Sequence, residues 1–335
     1  MNAPSISVSI TVYNLEKYVE KCILSIINQT FTDFEFIIVD DGSTDTSGDI
    51  CRFYEQKDKR ITYIYQSNQG VSSARNKALE ASRGKYVYMA DGDDMLKPNM
   101  LENLHLLCEK NKADISTCRI QCIDEYGQLI GTPKEKDKIY IMTNEEALFK
   151  TYTGELTGYG VCNKLFNRRL FQNVTFPLGR KFEDAAVLYR LIQQANKVIY
   201  TEEAMYYYVI HAESMTRKNL TKYSSKRLDI IKNFEECIEF LKQQNTSKYV
   251  IDIIAADYYK SLRGLTIDIM KEDKNIQKNS LQTVNQQINK WKHLFLSNFY
   301  VSRKQEYLIF FWSRLPGLTL MLYRIRNQLV LKLTH

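Results

Sequence analysis

Three carboxylates follow a buried strand near residue 90. The segment Lys85–Ala90 is apolar and aromatic, a pattern that predicts a strand with both faces covered. It continues directly into Asp91-Gly92-Asp93-Asp94. Like charges this close repel unless water or a cation screens them, and Mg²⁺ and Mn²⁺ prefer oxygen ligands. The segment therefore predicts a site for a metal and a diphosphate, although acidic turns that merely cap a following helix are common.

A second acidic turn follows another predicted strand. Phe34–Val39 is almost continuously apolar and ends in Asp40-Asp41-Gly42. The carboxyl ends of parallel strands meet at one edge of a sheet, where open α/β sheets bind ligands. The chain has neither a G-x-G-x-x-G fingerprint after its first strand nor a P-loop, so a metal held by aspartates is favoured as the counter-charge for phosphates.

A third acidic pair, Glu183-Asp184, stands at the start of a predicted amphipathic helix. Acids in a first turn complement the helix dipole and need no further function. Alternatively, one of the two is a general base that takes a proton from a bound hydroxyl group. His211 follows a tyrosine-rich strand and either contacts a phosphate or the metal, or is simply a packing residue.

The predicted elements place these turns on an α/β fold. Strand and helix patterns alternate as β-α-β-α-β-α-β over about ninety residues, which predicts a mostly parallel sheet flanked by helices. With 335 residues, 44% of them hydrophobic, the chain is long enough for one large domain and a smaller one. Its seven cysteines form no Cys-x-x-Cys pair and its four histidines are scattered, which argues against a zinc enzyme.

The C-terminal part differs in character. From residue 223 onward the periodicity predicts helices, and residues 302–335 carry six basic side chains against one acid. Pro316–Leu333 has an apolar face beside basic residues, which fits a helix lying in a membrane surface or a helix that forms a dimer. Nucleic-acid binding is disfavoured because the basic residues share their segment with this apolar face. No signal peptide and no run of about 18 apolar residues is seen, so a cytoplasmic location is expected, with peripheral contact to the inner face of the membrane.

Several motifs together resemble the opening of family 2 glycosyltransferases. The matching segments are Ser7–Asn14, Gln29–Phe31, Val39–Asp45, Gly70–Asn76 and Ala90–Asp94. Each motif is modest alone, but they occur in the family's order, and the resemblance covers roughly residues 5–216. It implies a bacterial enzyme of polysaccharide or cell-surface glycan synthesis with a GT-A fold, which is Rossmann-like, in residues 1–216. The resemblance does not cover the C-terminal helices, and their periodicity alone predicts a helical region in residues 217–335.

The resemblance also implies a reaction. The donor would be a nucleotide-diphosphate sugar, most often a UDP-sugar, and the sugar would pass with inversion to a hydroxyl of a saccharide or lipid-linked acceptor, assisted by Mn²⁺ or Mg²⁺. The Gln-x-x-Arg-Trp motif of processive synthases is missing, which argues for transfer of one or a few sugars. A homodimer through the C-terminal helices is a further expectation.

Site residues carry over position by position from the family. The nucleoside would contact Thr11, Tyr13, Asp41, Asn68 and Arg75. Asp91 would hold the ribose or the metal, Asp93 would bind the metal, and His211 matches a diphosphate-contacting position only loosely. Asp184 would be the catalytic base, with Glu183 as its paired acid.

Two other functions remain open. A sugar nucleotidyltransferase would also need metal-bound carboxylates, but the glycine- and Arg/Lys-rich loop expected near its first strand is missing from Thr11–Lys17. A binding module that has lost catalysis is the other, and the retention of Asp91, Asp93 and Asp184 argues against it.

Overall fold

The computed structural model describes residues 3–131, 138–155, 158–211 and 224–302, together with 305, 307 and 309. The chain divides into two compact units, Met1–Ser214 and Met215–His335. Each unit has its own set of secondary structure elements, and the candidate site residues all lie in the first.

The first unit alternates strands and helices, as the sequence predicts. Its strands are β1 (Ile6–Val12), β2 (Phe34–Asp40), β3 (Ile61–Tyr65), β4 (Tyr86–Asp91), β5 (Met95–Leu96), β6 (Ile115–Asp124), β7 (Ile139–Met142), β8 (Lys164–Asn167) and β9 (Val198–Ile210). Its helices are α1 (Val19–Ile27), α2 (Ser47–Lys57), α3 (Val71–Ala81), α4 (Met100–Asn111), α5 (Asn144–Thr153) and α6 (Glu183–Gln194), with a 3-10 turn at Arg168–Phe171. The predicted α/β class is confirmed.

These strands form one sheet in the order β3-β2-β1-β4-β8-β6-β9-β5, with β7 also paired to β9. The pairs β3-β2, β2-β1, β1-β4 and β6-β9 are parallel. Strand β8 runs antiparallel to both of its neighbours, and β5 and β7 run antiparallel to β9. Within the described ranges the sheet is therefore mostly parallel, with three strands reversed. The apolar pattern of Val161–Phe166 predicted a strand near β8 but did not reveal that β8 runs in the opposite direction.

The pairing register brings the two acidic turns together at one edge. Strand β1 lies between β2 and β4, and Thr11 pairs with Val39 on one side and with Asp91 on the other. The next residue, Val12, pairs with Asp40. Both acidic turns therefore leave the sheet beside the end of β1, as the strand pattern predicted.

Helices cover both faces of the parallel half of the sheet. Residues Phe36 and Ile38 of β2 belong to the apolar cluster that contains the buried side of α1. The alternate residues, Ile37 and Val39, pack instead with Ala74 and Ala78 of α3, on the opposite face. Because both of its faces are covered, β2 is apolar at each position from residue 36 to residue 39 rather than alternating.

The second unit is helical in its described part. After a 3-10 turn at Ser225–Leu228 it contains α7 (Asp229–Gln243), α8 (Lys248–Ile269) and α9 (Lys274–Leu296). Aromatic rings join the three helices, since Tyr258 stacks on Phe234 at 5.0 Å between ring centroids and meets the edge of Phe295 at 5.8 Å. The predicted surface helix Pro316–Leu333 lies outside the described residues. Among those described, no helix combines the length and apolar character needed to cross a membrane.

Candidate active site

The turn after β4 separates its three carboxylates. Asp94 is buried, and it accepts hydrogen bonds from the Tyr206 hydroxyl at 2.6 Å and from the Val209 N–H at 2.8 Å. These bonds fasten the turn to β9. The side chains of Asp91 and Asp93 keep 36% and 24% of their surface exposed. Asp94 is therefore a structural residue of the turn, and Asp91 and Asp93 are the carboxylates that solvent or a ligand can reach.

Gly92 allows this turn to pack against the end of β1. A Cβ atom at this position would lie 2.7 Å from the Thr11 carbonyl oxygen and 3.0 Å from a methyl carbon of Leu15. Since both neighbours belong to packed backbone or core, any larger residue would push the acidic turn away from β1. The glycine thus sets the distance between Asp91 and the strand that carries Thr11.

His211 pairs with Asp93 across the site. The His211 Nε2 atom lies 3.0 Å from Asp93 Oδ2, and the imidazole side chain is only 1% exposed. Its ring packs on Tyr18, with 4.1 Å between ring centroids, and its Nδ1 atom has no hydrogen-bond partner among the described residues. The fold therefore brings together two of the residues predicted to bind a metal, from the ends of β4 and β9.

Arg75 joins the β4 turn to the start of α6. Its Nη2 donates to Asp91 Oδ1 at 2.9 Å, and its Nη1 donates to Glu183 Oε1 at 2.6 Å and Asp184 Oδ1 at 2.5 Å. The guanidinium group is 5% exposed and lies over the Phe176 ring. Burial alone would lower the pKa of Arg75, but the three carboxylates outweigh it and raise the pKa. This arginine is thus a permanent cation between the two acidic groups.

Asp184 lies in the first turn of α6. Phe182, just before this helix, has a φ of 58°, a strained value for a residue with a side chain that is typical of functional sites. The second carboxylate oxygen of Asp184, Oδ2, accepts a hydrogen bond from the Val161 N–H at 3.1 Å. Burial raises the pKa of Asp184 to about 7, with Glu183 adding to the rise and Arg75 opposing it. A carboxylate with this pKa can take up a proton at neutral pH.

The turn after β2 is buried and filled with protein hydrogen bonds. Asp40 accepts from the Ser43 N–H at 2.8 Å and from the Tyr63 hydroxyl at 2.7 Å. Asp41 accepts from Gln66 Nε2 at 2.7 Å and from the N–H groups of Gln69 and Gly70 at 2.8 Å each. This turn therefore holds the loop before α3 in place.

The other predicted donor residues lie around these two turns. Thr11 is at the end of β1 beside Asp91, and Tyr13 just beyond it is 48% exposed. Asn68 is exposed in the loop that Asp41 holds, where Gly42, with a φ of 79°, makes a close approach to the Asn68 backbone. Arg75 contacts the carboxylate of Asp91, a predicted donor residue, and both carboxylates at the start of α6, so it lies between the predicted donor residues and the predicted base.

Several contributing residues were not foreseen from the sequence. They are Gln66, Phe176, Tyr206 and the backbone N–H of Val161. Each comes from a strand or loop far along the chain from its partner, and ordinary residue types in ordinary patterns gave no signal for them. Among the residues that the structure describes, no group of three or more His, Cys, Asp or Glu side chains is arranged to hold a metal ion. The metal ligands predicted from the sequence are present as the close pair of Asp93 and His211, with Asp91 two residues away in the chain.

Comparison with known proteins identifies the family. Residues 7–175, half of the chain, match the family described as Glycosyl transferase family 2. The chain belongs to glycosyltransferase family 2. This family 2 chain is 34% identical to the glycosyltransferase GlyA of Streptococcus pneumoniae serotype 4 over 235 residues. The match includes 67% of this chain and 33% of GlyA, so it spans a third of the length of that relative.

Solved structures show the same fold. The family 2 chain superposes on S. aureus TarS 1-349 in complex with UDP-GlcNAc with a TM-score of 0.72 and 19% sequence identity, covering 92% of this chain and 86% of the other. It also superposes on the mannosyltransferase PcManGT from Pyrobaculum calidifontis in complex with GDP-Man and Mn²⁺, with a TM-score of 0.56, 13% identity and coverage of 98% and 88%. At these identities the likeness establishes the fold alone. The GT-A fold expected from the motifs is confirmed, and so is the helical C-terminal region expected from the apolar periodicity.

Proposed function

We propose that this protein transfers a sugar from a nucleotide-diphosphate sugar to a hydroxyl group of a saccharide or lipid-linked glycan, with inversion at the anomeric carbon. The observation that carries the proposal is the Arg75 bridge between Asp91, at the donor edge of the sheet, and Asp184, a carboxylate with a pKa near neutral pH. Through Arg75, the β4 turn that would bind the donor is held at a fixed distance from Asp184, the proposed base. Membership of family 2 supports the reaction class.

In this mechanism Asp184 is the general base. The acceptor hydroxyl attacks the anomeric carbon from the face opposite the nucleoside diphosphate, and its proton passes to Asp184 as the new C–O bond forms. The bond between the anomeric carbon and the diphosphate oxygen breaks, and its electron pair stays on that oxygen. Glu183 and Arg75 keep Asp184 in place, since Arg75 Nη1 donates to both carboxylates.

A divalent cation fits the residues around Asp93. The Asp93 carboxylate and the buried imidazole of His211 are 3.0 Å apart, and Asp91 is in the same turn. Carboxylate oxygen and imidazole nitrogen suit Mn²⁺, and carboxylates suit Mg²⁺, whose coordination is often completed by substrate phosphates. When bound, the metal would stabilise the negative charge that develops on the leaving diphosphate. Asp93 and His211 would hold it, and Asp91 would hold it or the ribose.

The nucleoside would lie between the two acidic turns. Four predicted residues lie at the end of β1 or in the turn and loop beside it: Thr11, Tyr13, Asp41 and Asn68. The family places the base and the ribose there. UDP is the proposed nucleotide, supported by the UDP-GlcNAc complex of TarS, which has the same fold. We propose that the setting is the synthesis of a cell-wall or capsule polysaccharide.

Residues 1–216 form the proposed catalytic domain, and residues 217–335 the proposed helical domain. We propose that the helical domain contacts the inner face of the cytoplasmic membrane or a second copy of the chain through its basic amphipathic end. A chain truncated after Tyr300 tests this, because it should lose its association with the membrane fraction or its dimer. A truncated chain that keeps both would contradict the proposal.

Donor binding tests the central proposal. Thermal unfolding would be followed with UDP-glucose, UDP-galactose, UDP-GlcNAc, UDP-GalNAc, GDP-mannose and dTDP-rhamnose, each with Mn²⁺ or with EDTA. A ligand that binds only the folded state raises the melting temperature, so one nucleotide class should give a shift that requires the metal. No shift with any of these donors would contradict the proposal and favour a binding module of another kind.

Asp184→Asn is the matched test of the base. The amide keeps the shape of the side chain but cannot accept the proton, so turnover should fall by about 100-fold or more while the donor-dependent thermal shift persists. UDP release from the stabilising donor would be measured for both proteins. Unchanged turnover in the variant would remove Asp184 from the mechanism.

A further inference from the structure

Lys164 is a buried lysine that the proposed mechanism does not use. It begins β8 and is only 3% exposed, beside the apolar residues Leu165 and Phe166. Lysine is almost never buried to this extent without partners, because its ammonium group loses its hydration. The fold therefore has to compensate for a buried charge close enough to Asp184 to interact with it.

The ammonium group binds one short stretch of backbone and one amide. Lys164 Nζ donates to the Gly160 carbonyl oxygen at 2.6 Å and to Asn163 Oδ1 at 2.9 Å, and it lies 3.5 Å from the Gly158 carbonyl oxygen. Asn163 is itself buried and donates to Thr117 Oγ1 at 3.1 Å. All three oxygens around the ammonium group are neutral, so they hold it in position without cancelling its charge.

One peptide group connects Lys164 to Asp184. The Gly160 carbonyl, which accepts from Lys164, belongs to the same planar peptide unit as the Val161 N–H, which donates to Asp184 Oδ2 at 3.1 Å. The described chain has no cis peptide bond, so the carbonyl and the N–H of this unit point in opposite directions. The cation and the carboxylate thus sit at the two ends of one peptide dipole, each at the end that favours its charge.

The charged groups facing Asp184 come from several elements. Arg75 of α3 is a cation in direct contact, whereas Glu183 of α6 and Asp91 of β4 are like charges that make ionisation of Asp184 harder. Lys164 of β8 is the second cation, and its charge interaction with Asp184 is mutual. Burial lowers the pKa of Lys164 to about 8, and Cys162, Asp184 and Cys118, in decreasing order, act against that decrease.

We propose that Lys164 is a positioning residue for the acceptor base. It fixes the Gly160–Val161 peptide so that the Val161 N–H meets Asp184, and through that peptide it stabilises the ionised carboxylate. The role of Asp184 as the base rests on the proposed function, whereas the coupling between Lys164 and Asp184 rests on the contacts alone.

The first test removes the charge. In protein labelled with ¹³C at the aspartate carboxyl carbons, the Asp184 signal is identified by its loss in Asp184→Asn and is titrated in the wild type and in Lys164→Met. We expect the midpoint of Asp184 to rise by about one unit in Lys164→Met, because a nearby opposite charge is lost. Lys164→Arg should recover part of the shift. Lys97→Met is the matched control, since it removes the charge of a lysine that pairs with Glu203, at 2.9 Å, rather than with the Asp184 peptide. In this control, the titration midpoint of Asp184 should equal that of the wild type.

The second test leaves Lys164 in place and so does not depend on the folding of its variants. Because coupling between two sites is reciprocal, Asp184→Asn should lower the titration midpoint of Lys164, followed by its ¹³Cε signal. An Asp184 midpoint that does not move in folded Lys164→Met, or a Lys164 midpoint that does not move in Asp184→Asn, would overturn the proposal.

Kinetics separate this role from a general loss of stability. Lys164→Met should lower kcat for UDP release about tenfold and leave the KM for the donor unchanged, because the donor turns are not touched. A rise in KM with kcat unchanged would overturn the positioning role. The two titrations need no substrate, so a wild-type protein that turns over no donor would contradict the proposed function and leave their result valid.

Discussion

The turns after β2 and β4 carry the same kind of side chain at the same edge of the sheet, on either side of β1. In the β2 turn, Asp40 and Asp41 are 1% and 4% exposed, and protein donors occupy both carboxylates. In the β4 turn, Asp94 is the carboxylate whose two oxygens accept hydrogen bonds from a backbone N–H and a hydroxyl of the described residues. Asp91 and Asp93 keep part of their side chains exposed, and they contact the Arg75 guanidinium and the His211 imidazole respectively.

The two turns show that an acidic turn after a strand can either hold a loop or leave carboxylate oxygens open to a ligand. A carboxylate filled with N–H and O–H donors holds a loop, because leaving any of those buried groups without a partner would be costly. A carboxylate with unfilled acceptor positions can bind a cation or a ligand hydroxyl, at the expense of repulsion from its neighbours. The first turn therefore holds a loop in place, and we propose that the second supplies the chemistry of the site.

Asp93→Ala should have the largest effect on function. If the β4 turn holds the metal, the substitution removes several kcal/mol of transition-state stabilisation, which corresponds to about a 1,000-fold loss of turnover. The Mn²⁺-dependent part of the thermal shift with UDP-GlcNAc or another stabilising donor should disappear. The melting temperature without ligands should fall only slightly, because relief of the repulsion between Asp93 and Asp94 offsets part of the lost His211 contact. A variant that retains the metal-dependent shift would show that the two turns do not differ in the way described.

The pH dependence should come from the α6 carboxylate rather than from either turn. Asp184 must be ionised to act as a base, so kcat/KM should fall about tenfold per pH unit below its pKa of about 7. Its folded pKa is above the unfolded value of about 3.9, so the folded state binds more protons between these limits. The contribution of Asp184 to stability is therefore greatest below about pH 4 and is lost as the pH rises towards 7.

A pH-rate profile and an unfolding series over the same range check both directions. Activity should rise where the stability contribution of Asp184 falls, and the Asp184→Asn protein should lose that slope in stability. A profile that is flat from pH 5 to pH 8 would contradict the assignment of the base.

Asp41→Ala should mainly affect stability. It leaves the N–H groups of Gln69 and Gly70 and the amide of Gln66 without their acceptor. Unpaired buried donors cost about 1–3 kcal/mol each, so we expect a loss of about 3 kcal/mol after partial rehydration and a decrease of several degrees in melting temperature. Donor binding should weaken as well. If the melting temperature stays unchanged while donor binding alone is lost, the β2 turn is a binding turn of the same kind as the β4 turn.

Asp94→Asn should have the smallest effect. An asparagine oxygen can still accept from the Val209 N–H, and its amide can donate to the Tyr206 hydroxyl, so both fastenings of the β4 turn survive. Turnover and melting temperature should stay close to those of the wild type, whereas Asp94→Ala, which loses both contacts, should be clearly less stable. A large loss of turnover in the asparagine variant would place Asp94 among the reacting groups. It would contradict the assignment of Asp94 as the structural carboxylate of the β4 turn.

Local patterns in the sequence were sufficient for the α/β class, the strands β1 to β4 and the shared edge of the two acidic turns. Apolar strands covered on both faces leave continuous hydrophobic runs, and short β-α-β connections permit few arrangements, so these features can be inferred from residue types alone. The motif order also identified the family. These inferences rest on neighbours in the chain or on regular spacing.

Tertiary structure decided which carboxylates are filled and which remain open. Asp91, Asp93 and Asp94 lie within four consecutive residues, and the approach of Tyr206 and Val209 from β9 makes Asp94 structural. Likewise, Arg75 belongs to a motif that suggested a nucleoside contact, and the fold pairs it with Asp184, 109 positions along the chain. A hydrogen bond depends on where two distant backbones meet, and no pattern of residue types within one segment contains that information.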